Sequence, residues 1–296
     1  MIEGLWHPVK FKYLRPEDIR KLGRFDFAPK TVVEGYLAGR HRSRAVGSST
    51  EFRDYREYSP GDDLRQVDWR VFGRTDRYYL RTHNQETSTV CHVFLDSSAS
   101  MGFGQRLSKL DYASFFAAAL CYLVVRSNDS VSLQLFDRGV RRYFPPGQTT
   151  AHLHSLLHAL EVNTPGSTTS LAEALRRSFP LLRRRGTVVV ISDFFDDAAA
   201  IFSALNPYLH RGFEIHLFHV LTPEELDLPD QGLAAFVDME TQERVITHTR
   251  SLRPEYRQAI QEHIRNLRDL ARRRRVRYTL ARTDTHYFAL FDQLVE

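Results

Sequence analysis

Asp96, Ser98 and Ser100 form a D-x-S-x-S set, one carboxylate and two hydroxyls converging from a tight loop. Oxygen-only ligands that carry few charges suit a hard cation, Mg2+ or a similar ion such as Mn2+ or Ca2+, which takes several oxygens and keeps waters or a ligand from elsewhere. The loop alone offers too few oxygens. The chain supplies more further on: Thr168 and Thr169 in a Gly-Ser-Thr-Thr loop, and Asp193 directly after the apolar run 187–192.

These residues need strands to hold them. Residues 89–96 are a β-branched and apolar run in which Val90, Val93, Phe94 and Leu95 suit a strand covered on both faces, and Gly102 and Gly104 break the chain beyond it. Helical spacing resumes at Leu107 and runs to residue 127. Further strands are predicted over 130–136, 187–192, 213–220 and 276–281. An edge strand over 140–144 is stopped by Pro145 and Pro146, and 234–239 with 244–247 reads as a hairpin. Helices are predicted over 14–22, 28–37, 152–160, 171–182 and 198–209, then from Pro254 onward, and over 285–295. Asp196 and Asp197 offer capping carboxylates before 198–209. Strands alternating with helices predict a doubly wound, mainly parallel α/β sheet of Rossmann type, in which ligands sit outside the carboxyl ends of the strands. Residues 1–86 read as a small N-terminal α+β segment packed on a core domain of 87–296.

A length of 296 residues allows about two domains of ~150 each. The formal charge of +5 leaves 41 Lys and Arg nearly balanced by 36 Asp and Glu, which makes no demand for nucleic acid. Cys91 and Cys121 lack C-x-x-C spacing and read as buried small hydrophobes of a reducing compartment. The first residues show no signal-peptide pattern, and the longest apolar run, 115–125, falls short of the ~20 residues a membrane span needs. A soluble, cytoplasmic protein is expected. His154 and His158 share a helix face without a third ligand, so zinc is not expected there.

Residues 51–81 interleave charges with aromatics, and Ser59-Pro60-Gly61-Asp62 reads as a type II turn. The expectation is a partly buried Arg/Asp network around Trp69 that fixes how this segment docks, with Asp68→Ala or Trp69→Ala lowering stability.

The D-x-S-x-S loop, a later threonine loop and a later strand-end aspartate together resemble the metal-ion-dependent adhesion site of von Willebrand factor A domains. Asp96, Ser98 and Ser100 match the first loop, and Asp193 the acidic residue of the fourth strand. Counting back from Leu171, Ala174 and Leu175, Thr169 fits the threonine best, with Thr168 the alternative. A narrower resemblance lies upstream. Arg56-Glu57-Tyr58-Ser59-Pro60-Gly61-Asp62-Asp63-Leu64-Arg65-Gln66-Val67-Asp68-Trp69-Arg70, then Arg74-Thr75-Asp76, is similar to the hallmark block of the domain-of-unknown-function 58 family.

These resemblances imply a metal-dependent protein-interaction module, not an enzyme, whose ion captures a Glu or Asp of a partner. They also imply an adaptor or co-chaperone role beside a MoxR-type AAA+ ATPase; the chain has no G-x-x-x-x-G-K-[ST] loop of its own. One alternative is a Mg2+-dependent phosphoesterase with Asp96 as nucleophile, similar to haloacid-dehalogenase-like phosphatases, although Ser98 stands where their second aspartate is usual. Another is nucleic-acid binding through Arg183, Arg184 and Arg185 and through Arg272, Arg273, Arg274 and Arg275, which no reader motif accompanies.

Overall fold

The computed structural model describes residues 11–22, 51–58, 67–84, 89–168, 170–230, 232–237, 239 and 244–295. Among these, 11–22 and everything from Thr89 onward belong to one compact unit, and 51–84 to another. The predicted helix over 28–37 and the turn at Ser59 to Asp62 lie outside the described residues.

The smaller unit pairs β1 (Glu51–Glu57) with β2 (Tyr79–Asn84) antiparallel, with α2 (Trp69–Thr75) between them in sequence. Asp68 is buried and caps α2, accepting hydrogen bonds from the Arg70 and Val71 amides at 3.0 and 3.4 Å. Trp69 corrects the expectation. The residue is 60% exposed, and among the described residues its ring meets those of Phe72 and Tyr78 edge-on, so Trp69 itself is not buried. Losing a carboxylate N-cap costs about 1 kcal/mol. Asp68→Ala should therefore speed amide exchange in α2 roughly fivefold, and Trp69→Ala should change it less, as read by hydrogen exchange.

The larger unit opens with α1 (Pro16–Leu22), whose proline takes the first helical position and whose Glu17 and Asp18 complement the helix dipole. It is tied to α3 (Lys109–Arg126): Tyr13 donates to Asp111 at 2.6 Å, and Arg126 donates to the Leu22 carbonyl at 3.0 Å. The sheet runs in the order β10-β7-β6-β3-β4-β5. Its strands are β3 (Val90–Asp96), β4 (Ser130–Phe136), β5 (Val140–Gly147), β6 (Gly186–Ser192), β7 (Glu214–Leu221) and β10 (Arg277–Arg282). All neighbours pair parallel except β4 with β5. Strand alternation divides the core into two layers. Cys91, Val93 and Leu95 face α3, α4 (Thr150–Glu161) and α9 (Ala289–Val295), whereas Phe94 faces α5 (Leu171–Ser178), α6 (Ala198–His210) and α8 (Thr249–Arg273). Both cysteines are buried and free.

Several boundaries differ from the sequence reading. β5 continues through Pro145 and Pro146 because it is the sheet's edge and its register against β4 shifts there, leaving both prolines outside the paired positions. α8 begins at Thr249, with Pro254 inside it; the carbonyl that proline leaves unpaired belongs to the exposed Arg250. α9 is shorter than the expected 285–295. α7 (Pro223–Leu226) and the hairpin of β8 (Leu233–Val237) and β9 (Arg244–His248) complete the unit. Among the described residues no helix is long and apolar enough to cross a membrane.

His92 lies buried on β3, with Nδ1 2.7 Å from the Ser132 hydroxyl and Nε2 3.3 Å from the Arg184 carbonyl. Burial lowers its pKa to about 4, against 6.5 for the free group. The unfolded chain therefore binds the extra proton between those values, and stability falls as pH drops from the upper to the lower. The gap is worth about 3 kcal/mol. Urea titrations should show the stability difference between wild type and His92→Gln shrinking by roughly that amount between neutral pH and about pH 4.

Candidate metal centre

β3 and β6 are neighbours at the point where strand order reverses, and their carboxyl ends carry the predicted ligands. Asp96 ends β3 and is fully buried. Its Oδ1 accepts from the Ser98 amide at 2.9 Å, and its Oδ2 accepts from the Ser192 hydroxyl at 2.6 Å. Ser98 and Ser100 flank the start of a short 3-10 turn, Ala99–Gly102, with their hydroxyl oxygens 3.1 Å apart. The Ser98 and Ser100 hydroxyls favour the charged forms of Asp96 and Asp193 respectively. Four of the expected residues, Asp96, Ser98, Ser100 and Asp193, thus lie at the ends of these neighbouring strands.

The threonine loop is stapled to the same place. The Gly166 amide donates to the Ser97 carbonyl at 2.6 Å, the Ala99 amide to the Ser167 carbonyl at 2.9 Å, and the Asn163 side chain to the Ser97 hydroxyl at 2.8 Å. Thr168 is half-buried at the end of this loop, and Thr169 lies outside the described residues. Arg141 holds the loop from the other side through the Thr164 carbonyl at 2.7 Å.

Sequence reasoning missed the charge beneath the ligands. Lys109, in the first turn of α3, is fully buried; its ammonium donates to Asp193 Oδ2 at 2.7 Å and to Glu225. Glu225 is fixed by a capping box, accepting from the Thr222 amide at 2.9 Å while its own amide donates to the Thr222 hydroxyl at 3.2 Å. Thr222-x-x-Glu225 was a readable signal for that helix start. Ser192, which directly precedes the expected Asp193, had none.

Electrostatics follow from this packing. Burial would raise Asp193, but Lys109 overrides it and holds the carboxyl below its usual range. Burial would likewise lower Lys109, and its two carboxylates raise it instead. Burial first, and the Asp193 charge second, push Asp96 up to about 7 against hydrogen bonds from Ser192 and Ser98. Burial and the neighbouring His263 lower His219 to about 3, so Asp193 lies beside a neutral imidazole.

A hard divalent cation fits this donor set of hydroxyl and carboxylate oxygens only. Among the described residues no group of three or more His, Cys, Asp or Glu is placed to hold a metal, so an ion here would depend on the hydroxyls. As a nucleophile Asp96 is badly placed, fully buried with both oxygens accepting hydrogen bonds.

A family model described as "Protein of unknown function DUF58" matches residues 54–266, well over half of the chain. The chain belongs to the DUF58 family. Uncharacterized proteins of Mycobacterium tuberculosis strain H37Rv and of Mycobacterium bovis are each 27% identical to this DUF58 chain over 235 residues, which cover 76% of it and 72% of each relative. Among solved structures, the conserved hypothetical protein BatB from Bacteroides thetaiotaomicron is similar at 18% identity and a TM-score of 0.47, over 70% of this chain and 97% of its own. An aerotolerance-related membrane protein from Bacteroides fragilis gives 18%, a TM-score of 0.48, and coverages of 70% and 98%. A von Willebrand factor type A protein from Catenulispora acidiphila gives 12%, a TM-score of 0.33, and coverages of 48% and 34%.

Proposed function

We propose that this DUF58 chain is a non-enzymatic, metal-dependent interaction module that takes a Glu or Asp of a partner protein at the Asp96–Asp193 centre. The observation that carries the reading is the grouping of Asp96, Ser98, Ser100 and Asp193 at the switch point of the sheet, with the two serine hydroxyls 3.1 Å apart and Asp96 accepting from the Ser98 amide. Asp96, Ser98, Ser100 and Asp193, with Thr169 or Thr168, would hold Mg2+, Mn2+ or Ca2+. A bound ion supplies an electrophilic position that an incoming carboxylate can share. Ser98 and Ser100 contribute neutral oxygens, and Lys109 cancels one of the two aspartate charges. The ion is left short of negative charge, so a partner carboxylate gains by binding.

The family likeness carried by the sequence supplies the candidate partner, a MoxR-type AAA+ ATPase, with this chain as its adaptor or co-chaperone. The test is surface plasmon resonance of a purified MoxR-type ATPase over immobilised wild type and Ser98→Ala, each in Mg2+ and in chelator. The expected result is binding in Mg2+ that weakens about tenfold or more in Ser98→Ala. Equal binding to both proteins in both buffers would remove the metal centre from the interface.

A further inference from the structure

The two arginine runs of the sequence meet in the fold. Arg183, Arg184 and Arg185 lead into β6, while Arg272 and Arg273 end α8 and Arg275 follows just before β10; all six are exposed. Arg211 leads into β7, the strand between β6 and β10. These three strands pair parallel, so the three connections open at one end of the sheet, the amino end. Contacts hold them together there. Arg211 donates to the Leu182 carbonyl at 2.8 Å, and Arg185 Nη1 lies 3.7 Å from where a Cβ on Gly212 would stand. Arg274 reaches from the end of α8 to Phe202 in α6, its guanidinium 5.3 Å from the ring centre.

We propose that this end of the sheet docks on the anionic surface of a lipid bilayer, with its arginines among the headgroup phosphates. Charge complementarity selects an anionic occupant. Among the described residues the six exposed arginines of the two runs form no ion pair. The nearby acids are mostly engaged. Glu214, at the start of β7, pairs with Arg277 at 3.4 Å, and Asp129, ahead of β4, accepts from the Thr89 amide and hydroxyl, each at 2.8 Å. Asp269, one turn before Arg272 and Arg273, does not offset them all. The backbone adds a second sign. Arg275 has a φ of 55°, just past the helix C-cap Arg274, where glycine sits at least cost. An exposed arginine held there against local preference fits a charge kept for an outside partner.

The surroundings favour a bilayer over a nucleic acid. Single strands are gripped by stacking their bases on open aromatic faces. Here the half-buried Phe179 ring lies under the Arg211 guanidinium at 4.1 Å, and Phe202 is buried beneath Arg274. The exposed apolar groups are aliphatic instead: Leu181, 42% exposed, and Pro180 beside it, directly ahead of Arg183. An aliphatic tip flanked by cations suits the boundary between headgroups and acyl chains. The metal centre occupies the opposite end of β6, roughly 20 Å along the strand. A docked chain would keep that centre turned away from the bilayer.

The test is co-sedimentation of the full chain with vesicles of phosphatidylcholine, alone or mixed with phosphatidylglycerol. Wild type should bind the mixed vesicles only, and less as salt rises. An arginine at an anionic surface contributes about fivefold in affinity, so Arg183→Gln/Arg184→Gln and Arg272→Gln/Arg273→Gln should each weaken binding tenfold or more. All four side chains are exposed, so melting temperatures are expected to match wild type. Ser98→Ala should bind vesicles as wild type does, which keeps this result separate from the metal centre.

Arg106→Gln/Arg138→Gln removes the same charge from exposed positions at the carboxyl end. Retained binding in that variant upholds the patch; an equal loss would reduce the effect to net charge and overturn the proposal. Binding to phosphatidylcholine alone, no binding to either vesicle, or binding unchanged in both patch variants would also overturn it. So would capture of a mixed-sequence DNA duplex at the same salt without vesicle binding, which would assign the patch to nucleic acid.

Discussion

Lys109→Met should lower stability by about 3–5 kcal/mol and the melting temperature by roughly 10 °C. Lysine is seldom fully buried, and here its ammonium balances Asp193, which has no exposed side-chain area, and Glu225, whose side chain is 13% exposed. Methionine keeps much of the stem's volume but leaves two carboxylates facing each other in a low-dielectric interior. A second change separates charge from packing. Adding Glu225→Gln to Lys109→Met removes one of the stranded charges, and part of the lost stability should return. Chemical denaturation of the three proteins measures both effects. A loss below about 1 kcal/mol in the single variant would mean that the ammonium does not carry the charge balance described above.

Gly186→Ala should cost about 3 kcal/mol, at the upper end for overpacking. Gly186 opens β6 directly opposite Val90 of β3. A Cβ there would overlap the Val90 carbonyl oxygen and stand 2.9 Å from its carbonyl carbon. Backbone atoms inside a paired ladder cannot give way as a side-chain tip can, so the central strands must part. Gly73 is the control. It lies within α2 with nothing inside 4 Å of an added Cβ, and Gly73→Ala should be neutral or stabilising by up to ~1 kcal/mol. Thermal melts showing equal losses at the two positions would contradict the close β3–β6 approach.

The sheet was readable because its strands are covered on both faces. Val90 to Leu95 and Val188 to Ile191 are apolar runs at the centre, and Asp96 and Asp193 end them where the fold puts its ligands. The cap at Asp197 was readable for a local reason: its carboxylate accepts from the Ala199 amide at 3.0 Å. What escaped depends on tertiary context. Nothing local tells a buried Lys109 from a solvated one, because its partners come from the end of β6 and from α7. Pro145 and Pro146 read as a stop, yet an edge strand tolerates them. Trp69 looked like a core anchor by residue type, but its helix has no buried residue.

The central claim is that Asp96, Ser98, Ser100 and Asp193 together hold a divalent cation. Electron paramagnetic resonance of Mn2+ titrated into the protein counts bound ions directly. The account predicts one site per chain in wild type, competed by Mg2+ and lost in Ser98→Ala and Asp96→Asn variants that keep the wild-type circular dichroism spectrum. Mn2+ binding that is the same in the variants, or no binding by folded wild type, would contradict it.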